Sequence, residues 1–213
     1  MALWIKLCRN SNVIFDVGAN TGLYSLVAKA VNPQSVVHSF EPVNRVFNRL
    51  VENCQMNDFD IRAVEAALSN FDGDATIHDT GDEHILSVTV NKNIHPPGTS
   101  SSPVRVKVKT IQSYAEVRQI EKIDLMKIDV ETHEAEVLEG MGKLLAYGKP
   151  TLLIEILNDE VGSKIESIIN GLGYLFLDID ENTGVYKVDH ITKSRYYNYL
   201  CCSEPIAKRL GLI

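Results

Sequence analysis

The run Val13 to Val31, VIFDVGANTGLYSLVAKAV, decides how this chain is read. VIFDV is a short apolar stretch that ends in a carboxylate and a glycine, and an apolar pattern of helical period begins just past Gly22. A strand, a tight turn and a helix in that order open a βαβ unit. The first N–H groups of such a helix have no partner within it and face whatever lies beyond the strand end. The turn reads Gly18-Ala19-Asn20-Thr21-Gly22, so Asn20 stands where a dinucleotide fingerprint needs a glycine to let the backbone approach a pyrophosphate. That mismatch, with no Tyr-x-x-x-Lys pair elsewhere, counts against an NAD-dependent oxidoreductase.

Outward from this unit the alternation continues. SVVHSF reads as a strand, VNRVFNRLVENCQMN as a helix and IRAVEAAL as a third strand. After an irregular stretch come a helix near IQSYAEV, the strand DLMKIDV, a helix from about His133 to Leu145, the strand TLLIEIL and a helix at GSKIESIINGLG. YLFLDIDENTGVYKV, with a turn at Asn182 to Gly184, and RYYNYLCC close the chain as strands. The expected fold is α/β: a Rossmann-like, doubly wound, mostly parallel seven-stranded sheet with an antiparallel C-terminal edge strand. One domain over residues 1–213 is expected, with a strand and loop excursion at about 70–109. Within the excursion, the Pro/Gly/Ser/Asn-rich loop Asn91 to Pro103 is a candidate acceptor lid.

Bulk properties exclude several functions. A net charge of -7 gives no surface for phosphate backbones or anionic lipid, so no nucleic acid and no membrane partner is expected. No run approaches a membrane span, and MALWIKLCRN has too short an apolar core for a signal peptide, so the expected location is cytoplasmic. Only a dozen residues precede the first strand, so an N-terminal cover over the site is expected to be very short or supplied by something else. The four cysteines, Cys8, Cys54, Cys201 and Cys202, lack C-x-x-C spacing and read as reduced thiols.

The chemistry concentrates at strand ends. Asp16 beside the glycine turn suits a ligand that carries positive charge there, and S-adenosylmethionine offers a sulfonium and an α-ammonium while its carboxylate can use the free helix N–H groups. Glu41, 23 residues after Gly18, stands near the roughly 20-residue offset of an acid that accepts hydrogen bonds from ribose hydroxyls, and Pro42 ends its strand. In a strand, Asp129 and Glu131 would project to one side at the carboxyl end of the fourth strand. Two carboxylates there need a cation or hydrogen bonds, and the bland alternative has Glu131 capping the next helix while Asp129 accepts backbone N–H bonds. Asp129, Glu131, Glu155 and Asn158 could also present oxygens to Mg²⁺, so a divalent metal is possible but not favoured. His78, His84 and His95 lie in the excursion without cysteine partners, which argues against zinc.

Taken together, FDVGANTGLYS, FEP, AALSN, DLMKIDVETHEAEVLEG and LLIEI, in that order from Val13 to Leu157, resemble the FkbM family of S-adenosylmethionine-dependent methyltransferases. The family pattern usually has glycine after the glutamate of DVE, where this chain has Thr132. The resemblance implies a class I methyltransferase fold. It also implies that Asp16, Gly18, Asn20, Thr21 and Gly22 line the methionine end of the cofactor, that Glu41 with Pro42 holds the ribose, and that Ala67 lies near the adenine. It further puts Asp129 near the sulfonium or amine, and Glu131 and His133 towards the acceptor, with Glu131 or His133 as the base. The implied reaction is O-methylation of a hydroxyl on a small-molecule acceptor such as a sugar or other natural product. A non-catalytic S-adenosylmethionine-binding module is the competing expectation. Nothing in the sequence sets an oligomeric state.

Overall fold

The computed structural model describes residues 1–79 and 102–213. The central sheet grows from β1 (Val13–Val17), whose five residues are almost wholly buried. A strand covered on both faces reads as a near-continuous apolar run, and VIFDV does so apart from Asp16. α2 (Leu23–Val31) returns the chain to β2 (Val36–Phe40), and α3 (Asn44–Met56) leads to β3 (Ile61–Val64), both strands running parallel to their neighbours. On the other side of β1 lie β7 (Leu125–Ile128) and β8 (Thr151–Glu155), again parallel. Strand order therefore reverses between β1 and β7, and the crevice outside their carboxyl ends is where such sheets bind ligands.

Alternate residues feed two cores. Phe15, Met126 and Leu152 point into one, with Ile111, Tyr114, Val137 and Ile165, and Ile14, Leu125 and Leu153 point into the other, with Trp4, Ala28 and Ala207. The first core belongs to α4 (Ile111–Arg118), α5 (Glu134–Glu139) and α6 (Asp159–Ile169); the second to α1 (Ala2–Cys8), α2 and α7 (Glu204–Leu210). The sequence pattern had suggested neither α1 nor α7. The seven-residue α1 is held by Trp4, which is 1% exposed and donates from Nε1 to the Tyr24 carbonyl at 3.0 Å.

The antiparallel end of the sheet is present, with a finer arrangement than expected. β9 (Leu175–Asp180), β10 (Gly184–Val188) and β11 (Asn198–Cys202) bring the sheet to eight strands in the order β10-β9-β11-β8-β7-β1-β2-β3. The last strand inserts between β8 and β9, antiparallel to both, and the edge is β10, from the hairpin. Burial explains the insertion: Tyr199, Leu200, Cys201 and Cys202 are 0–2% exposed, whereas β10 is half exposed and tolerates an edge. IRAVEAAL also divides, since Ala67–Leu68 leaves the main sheet as β4. It pairs with β6 (Ser102–Lys109), and β6 pairs antiparallel with β5 (Gly73–Asp79) in a second, three-stranded sheet. Ile77 and Val106 pack on Val43 and Val46 at the start of α3, which folds the excursion against the body. The expected helix from His133 to Leu145 is shorter: α5 ends at Glu139, and a π-helical turn follows at Leu144–Gly148. Of the candidate lid Asn91 to Pro103, residues 91–101 lie outside the described residues, as do His84 and His95 and the side chain of His78.

Gly140, at the end of α5, permits a close approach of the helix to the chain just past β4: a Cβ there would lie 2.0 Å from the carbonyl oxygen of Ser69. Gly140→Ala is expected to lower unfolding stability by about 1–3 kcal/mol through overpacking. Gly148→Ala, which meets nothing within 4 Å, should leave it nearly unchanged in the same urea titration.

Candidate active site

The glycine turn is closed by contact with the neighbouring strand end. Gly18 has φ +76, and a Cβ there would lie 1.9 Å from the carbonyl oxygen of Asp129, so only glycine fits both the conformation and the approach. Gly18 N and Ala19 N donate to the Phe40 carbonyl, and Asn20, itself left-handed with φ +51, donates its N–H to Glu41 Oε2 at 3.1 Å. Glu41 Oε1 accepts from Val43 N at 3.0 Å. Each oxygen thus spends one lone pair on the backbone and has another left over. Burial pushes Glu41 up to about 7, against the pull of those two N–H groups.

A cavity of about 410 Å³ opens at this switch point. It brings together Gly18, Asn20, Thr21, Glu41, Pro42, Ala67, Asp129, Glu131 and His133, all expected from the sequence. Two expected residues stand elsewhere. Asp16 is fully buried behind the turn, where Oδ2 accepts from Ser25 Oγ at 2.6 Å, and Ser25 in turn meets Ser39 Oγ at 2.5 Å. Gly22 caps α2 against Leu50 and does not line the cavity. The walls add Leu23, Tyr24, Leu68, Ile77, Lys127 and Glu155. Ile77 comes from the second sheet, so the excursion supplies one apolar wall.

Lys127 is the residue that sequence reasoning passed over. It is 6% exposed in an otherwise apolar strand, its Nζ lies 2.7 Å from Asp129 Oδ2, and it sits 4.5 Å over the Tyr24 ring. Burial would lower its pKa, but Asp129 and Asp16 outweigh that and raise it, so the ammonium stays charged. The signal was a lone lysine in LMKI, two residues before an acid.

Asp129, Glu131 and Glu155 meet beside it, each offering an oxygen within 4.8 Å of the others. The pleat does not do this, because β7 stops at Ile128; Glu131 arrives through a left-handed turn, with φ +55, followed by Thr132 with φ +76. Burial first and Asp129 second push Glu131 up to about 7 and Glu155 up to about 8. Glu131 does not cap α5. The N-cap of α5 is His133, with no side-chain cap hydrogen bond, and Glu134, the first residue of the helix, turns its Oε1 back to accept from Val130 N at 3.1 Å and Thr132 N at 3.3 Å. Asn158 is likewise committed, accepting from Val161 N at 2.9 Å as the cap of α6. His133 lines the cavity, but its Nε2 is 2.8 Å from Ser69 Oγ and its Nδ1 is 3.6 Å from Glu136, with burial lowering its pKa.

A doubly wound sheet with its cavity at the β1–β7 crevice, an acid after β2 and a carboxylate cluster after β7 has the architecture of class I methyltransferases. The family model described as the methyltransferase FkbM domain matches residues 16–176, and the chain belongs to that family. Curated relatives include the hexuronic acid methyltransferase AglP of Haloferax volcanii, 28% identical over 145 residues that cover 67% of this chain and 55% of the relative. The 31-O-demethyl-FK506 methyltransferase FkbM of Streptomyces tacrolimicus is 30% identical over 158 residues, 62% of this chain and 60% of the relative. The 2-O-methyltransferase NoeI of Sinorhizobium fredii is 28% identical over 151 residues, 66% and 58%. The matches therefore span 55–60% of these relatives' lengths. Among solved structures, a methyltransferase FkbM from Methylobacillus flagellatus KT superposes with a TM-score of 0.54 at 18% identity, over 90% of this chain and 43% of that one. Methanococcus jannaschii fibrillarin gives 0.54 at 16%, over 93% and 69%. At such identities the likeness is one of fold. No helix among the described residues is long and apolar enough to cross a membrane.

The raised carboxyls predict a pH dependence. Glu41, Glu131, Glu134 and Glu155 stand at about 7 to 8 when folded, against 4.5 ordinarily. The folded protein therefore holds protons that the unfolded chain has released, and stability falls as pH rises through that interval. His38, buried and lowered to about 4, opposes this only below its ordinary 6.5. The melting temperature of the ligand-free protein should rise from about pH 8 to about pH 6.5, and Glu155→Gln should flatten that slope in differential scanning calorimetry.

Proposed function

We propose that this chain acts as a single methyltransferase unit that transfers a methyl group from S-adenosylmethionine to a hydroxyl oxygen of a small-molecule acceptor, with a carbohydrate as the favoured class. The observation that carries the reading is the pairing, in one cavity, of Glu41 with its unspent lone pairs and the acidic trio around Lys127. The relatives' names, which specify a hexuronic acid, the 31-O position of FK506 and a 2-O position, support oxygen as the acceptor atom.

In this reading Glu41 accepts from the ribose hydroxyls, Pro42 fixes the chain beneath them, and Ala67, Leu68 and Ile77 form an apolar wall for the adenine. Gly18, Asn20 and Thr21 border the methionine end, and Asp129 faces its cationic groups while Lys127 holds that carboxylate in place. Asp16 acts from behind, through the buried field of its carboxylate, and Gly22 through the start of α2. The cofactor supplies a methyl group already activated by its sulfonium. What the protein adds is alignment and a proton acceptor. Glu131 suits the second task better than His133, because burial and Asp129 bring it to about 7, whereas the imidazole is bound to Ser69. A shared divalent cation is the second reading, favoured by the 4.8 Å trio, and turnover that survives exhaustive chelation would remove it.

Calorimetric titration with S-adenosylmethionine and S-adenosylhomocysteine tests the cofactor. Glu41→Ala should weaken both about 10- to 100-fold, the range for hydrogen bonds to a charged group. Release of S-adenosylhomocysteine across a set of glycosides and macrolides then tests the acceptor. Glu131→Gln should cut turnover by about 10²- to 10⁴-fold while leaving S-adenosylhomocysteine affinity within a factor of a few. Tight binding without transfer to any hydroxylated acceptor would favour a non-catalytic binding module instead.

A further inference from the structure

We infer that Glu134 is a positioning residue: its carboxylate splints the left-handed turn at Glu131 and Thr132, and so holds the Glu131 side chain beside Asp129 and Glu155. This rests on the proposed role of Glu131 for its functional meaning, but not for its structural content.

Two consecutive non-glycine residues with positive φ are rare, and the second is β-branched, for which the left-handed region is a genuine outlier. Such strain persists only where the surroundings over-determine it. The turn's own backbone supplies part of the answer. After β7 stops at Ile128, the N–H groups of Val130 and Thr132 both converge on one atom, Glu134 Oε1, at 3.1 and 3.3 Å. One acceptor shared by N–H groups two residues apart fixes the residue between them, and that residue is Glu131. Glu134 can hold this position because α5 is itself pinned. Its side chain is 0% exposed, His133 beside it meets Ser69 Oγ at 2.8 Å, and Gly140 at the far end presses on the Ser69 carbonyl.

A carboxylate is an expensive choice for a place with no solvent. Oε2 of Glu134 is buried without a hydrogen-bond partner among the described residues, and burial raises the group to about 7. Simple packing would be served better by an apolar side chain of similar volume. A buried acid that is retained there for its acceptor oxygen, at the one point where the backbone is doubly left-handed, is explained by the turn it grips. The same grip accounts for Thr132 at a position better suited to glycine, since the hydrogen bonds offset the conformational cost that glycine would avoid.

The test is a double-mutant cycle between Glu134→Ala and Thr132→Gly, with Glu134→Gln as the conservative variant. Glycine adopts the left-handed region freely, so if Glu134 acts by holding that backbone, Thr132→Gly should recover much of what Glu134→Ala loses. Urea unfolding of the four proteins should show coupling well outside additivity. The spectroscopic readout is the ¹³C side-chain carboxyl resonance of Glu131, assigned through Glu131→Gln and recorded near pH 6, between its ordinary and raised values. Glu134→Ala should move it to the position of a solvated, ionised glutamate. Glu134→Gln, which keeps an acceptor oxygen, and the Glu134→Ala/Thr132→Gly double variant should both hold it near the wild-type position.

Additive effects in the cycle, or an unmoved Glu131 resonance in Glu134→Ala, would overturn the proposal. If Glu134→Ala alone fails to fold, a double variant that also fails would overturn it and a folded one would support it. None of these readouts needs a cofactor or an acceptor. Failure of wild-type protein to bind S-adenosylhomocysteine would defeat the methyltransferase reading while leaving the turn proposal to be decided by the cycle.

Discussion

The buried ammonium of Lys127 is the charge that the rest of the site is arranged around. A cation in a strand of Leu, Met and Ile is costly unless it is answered, and here it is answered by Asp129 at 2.7 Å, by the face of Tyr24 and by the field of Asp16. The contact joins β7, which carries Lys127, to the chain just past its end. The Tyr24 ring ties the same charge to α2 and so to the glycine turn. Yet one positive charge faces more than one acid, and burial first, with the surplus negative charge second, raises Glu131 and Glu155. A ligand that brings its own positive charge to this crevice meets a field laid out before it arrives, so no dipoles need to reorganise around it.

Much of this was legible in the sequence because local chemistry and global fold agree along Val13 to Glu41. The strand, the turn, the helix and the acid each announce themselves through apolar periodicity, positive-φ residues and spacing, and the cavity collects the residues so identified except Asp16 and Gly22. What could not be read depended on long-range packing. Nothing local in LMKI tells whether a lysine points to solvent or into a crevice. The i, i+2 argument for Asp129 and Glu131 reached the right neighbours by the wrong route, since a strand pleat was assumed where the chain leaves the sheet. Asp16 looked like a lining residue because it precedes the turn, but the pleat turns its carboxylate away, towards Ser25 and Ser39.

The excursion shows the same division. Its turn-rich composition marked a departure from the main sheet, and β4, β5 and β6 do form a separate sheet. That Ile77 would reach the cavity wall follows only from the contact of this sheet with Val43 and Val46, two residues at the start of a helix whose pattern gave no hint of a second partner. At the far end of the chain, four nearly buried residues in NYLCC decided that β11 lies inside the sheet rather than at its margin.

That placement bears on how the protein assembles as it is made. β8 is made before its second neighbour, residues 198–202, and its Leu152, Leu153 and Ile154 are almost fully buried in the finished structure. Until those residues are available, one side of β8 has a row of unpaired backbone groups flanked by apolar side chains, a template for pairing with another chain. β9 and β10 can form their hairpin in the interval, yet they cannot dock in final register, because the slot between β9 and β8 belongs to a strand not yet synthesised. The sheet is thus completed like an arch whose keystone, residues 198–202, is the last of its eight strands to be made.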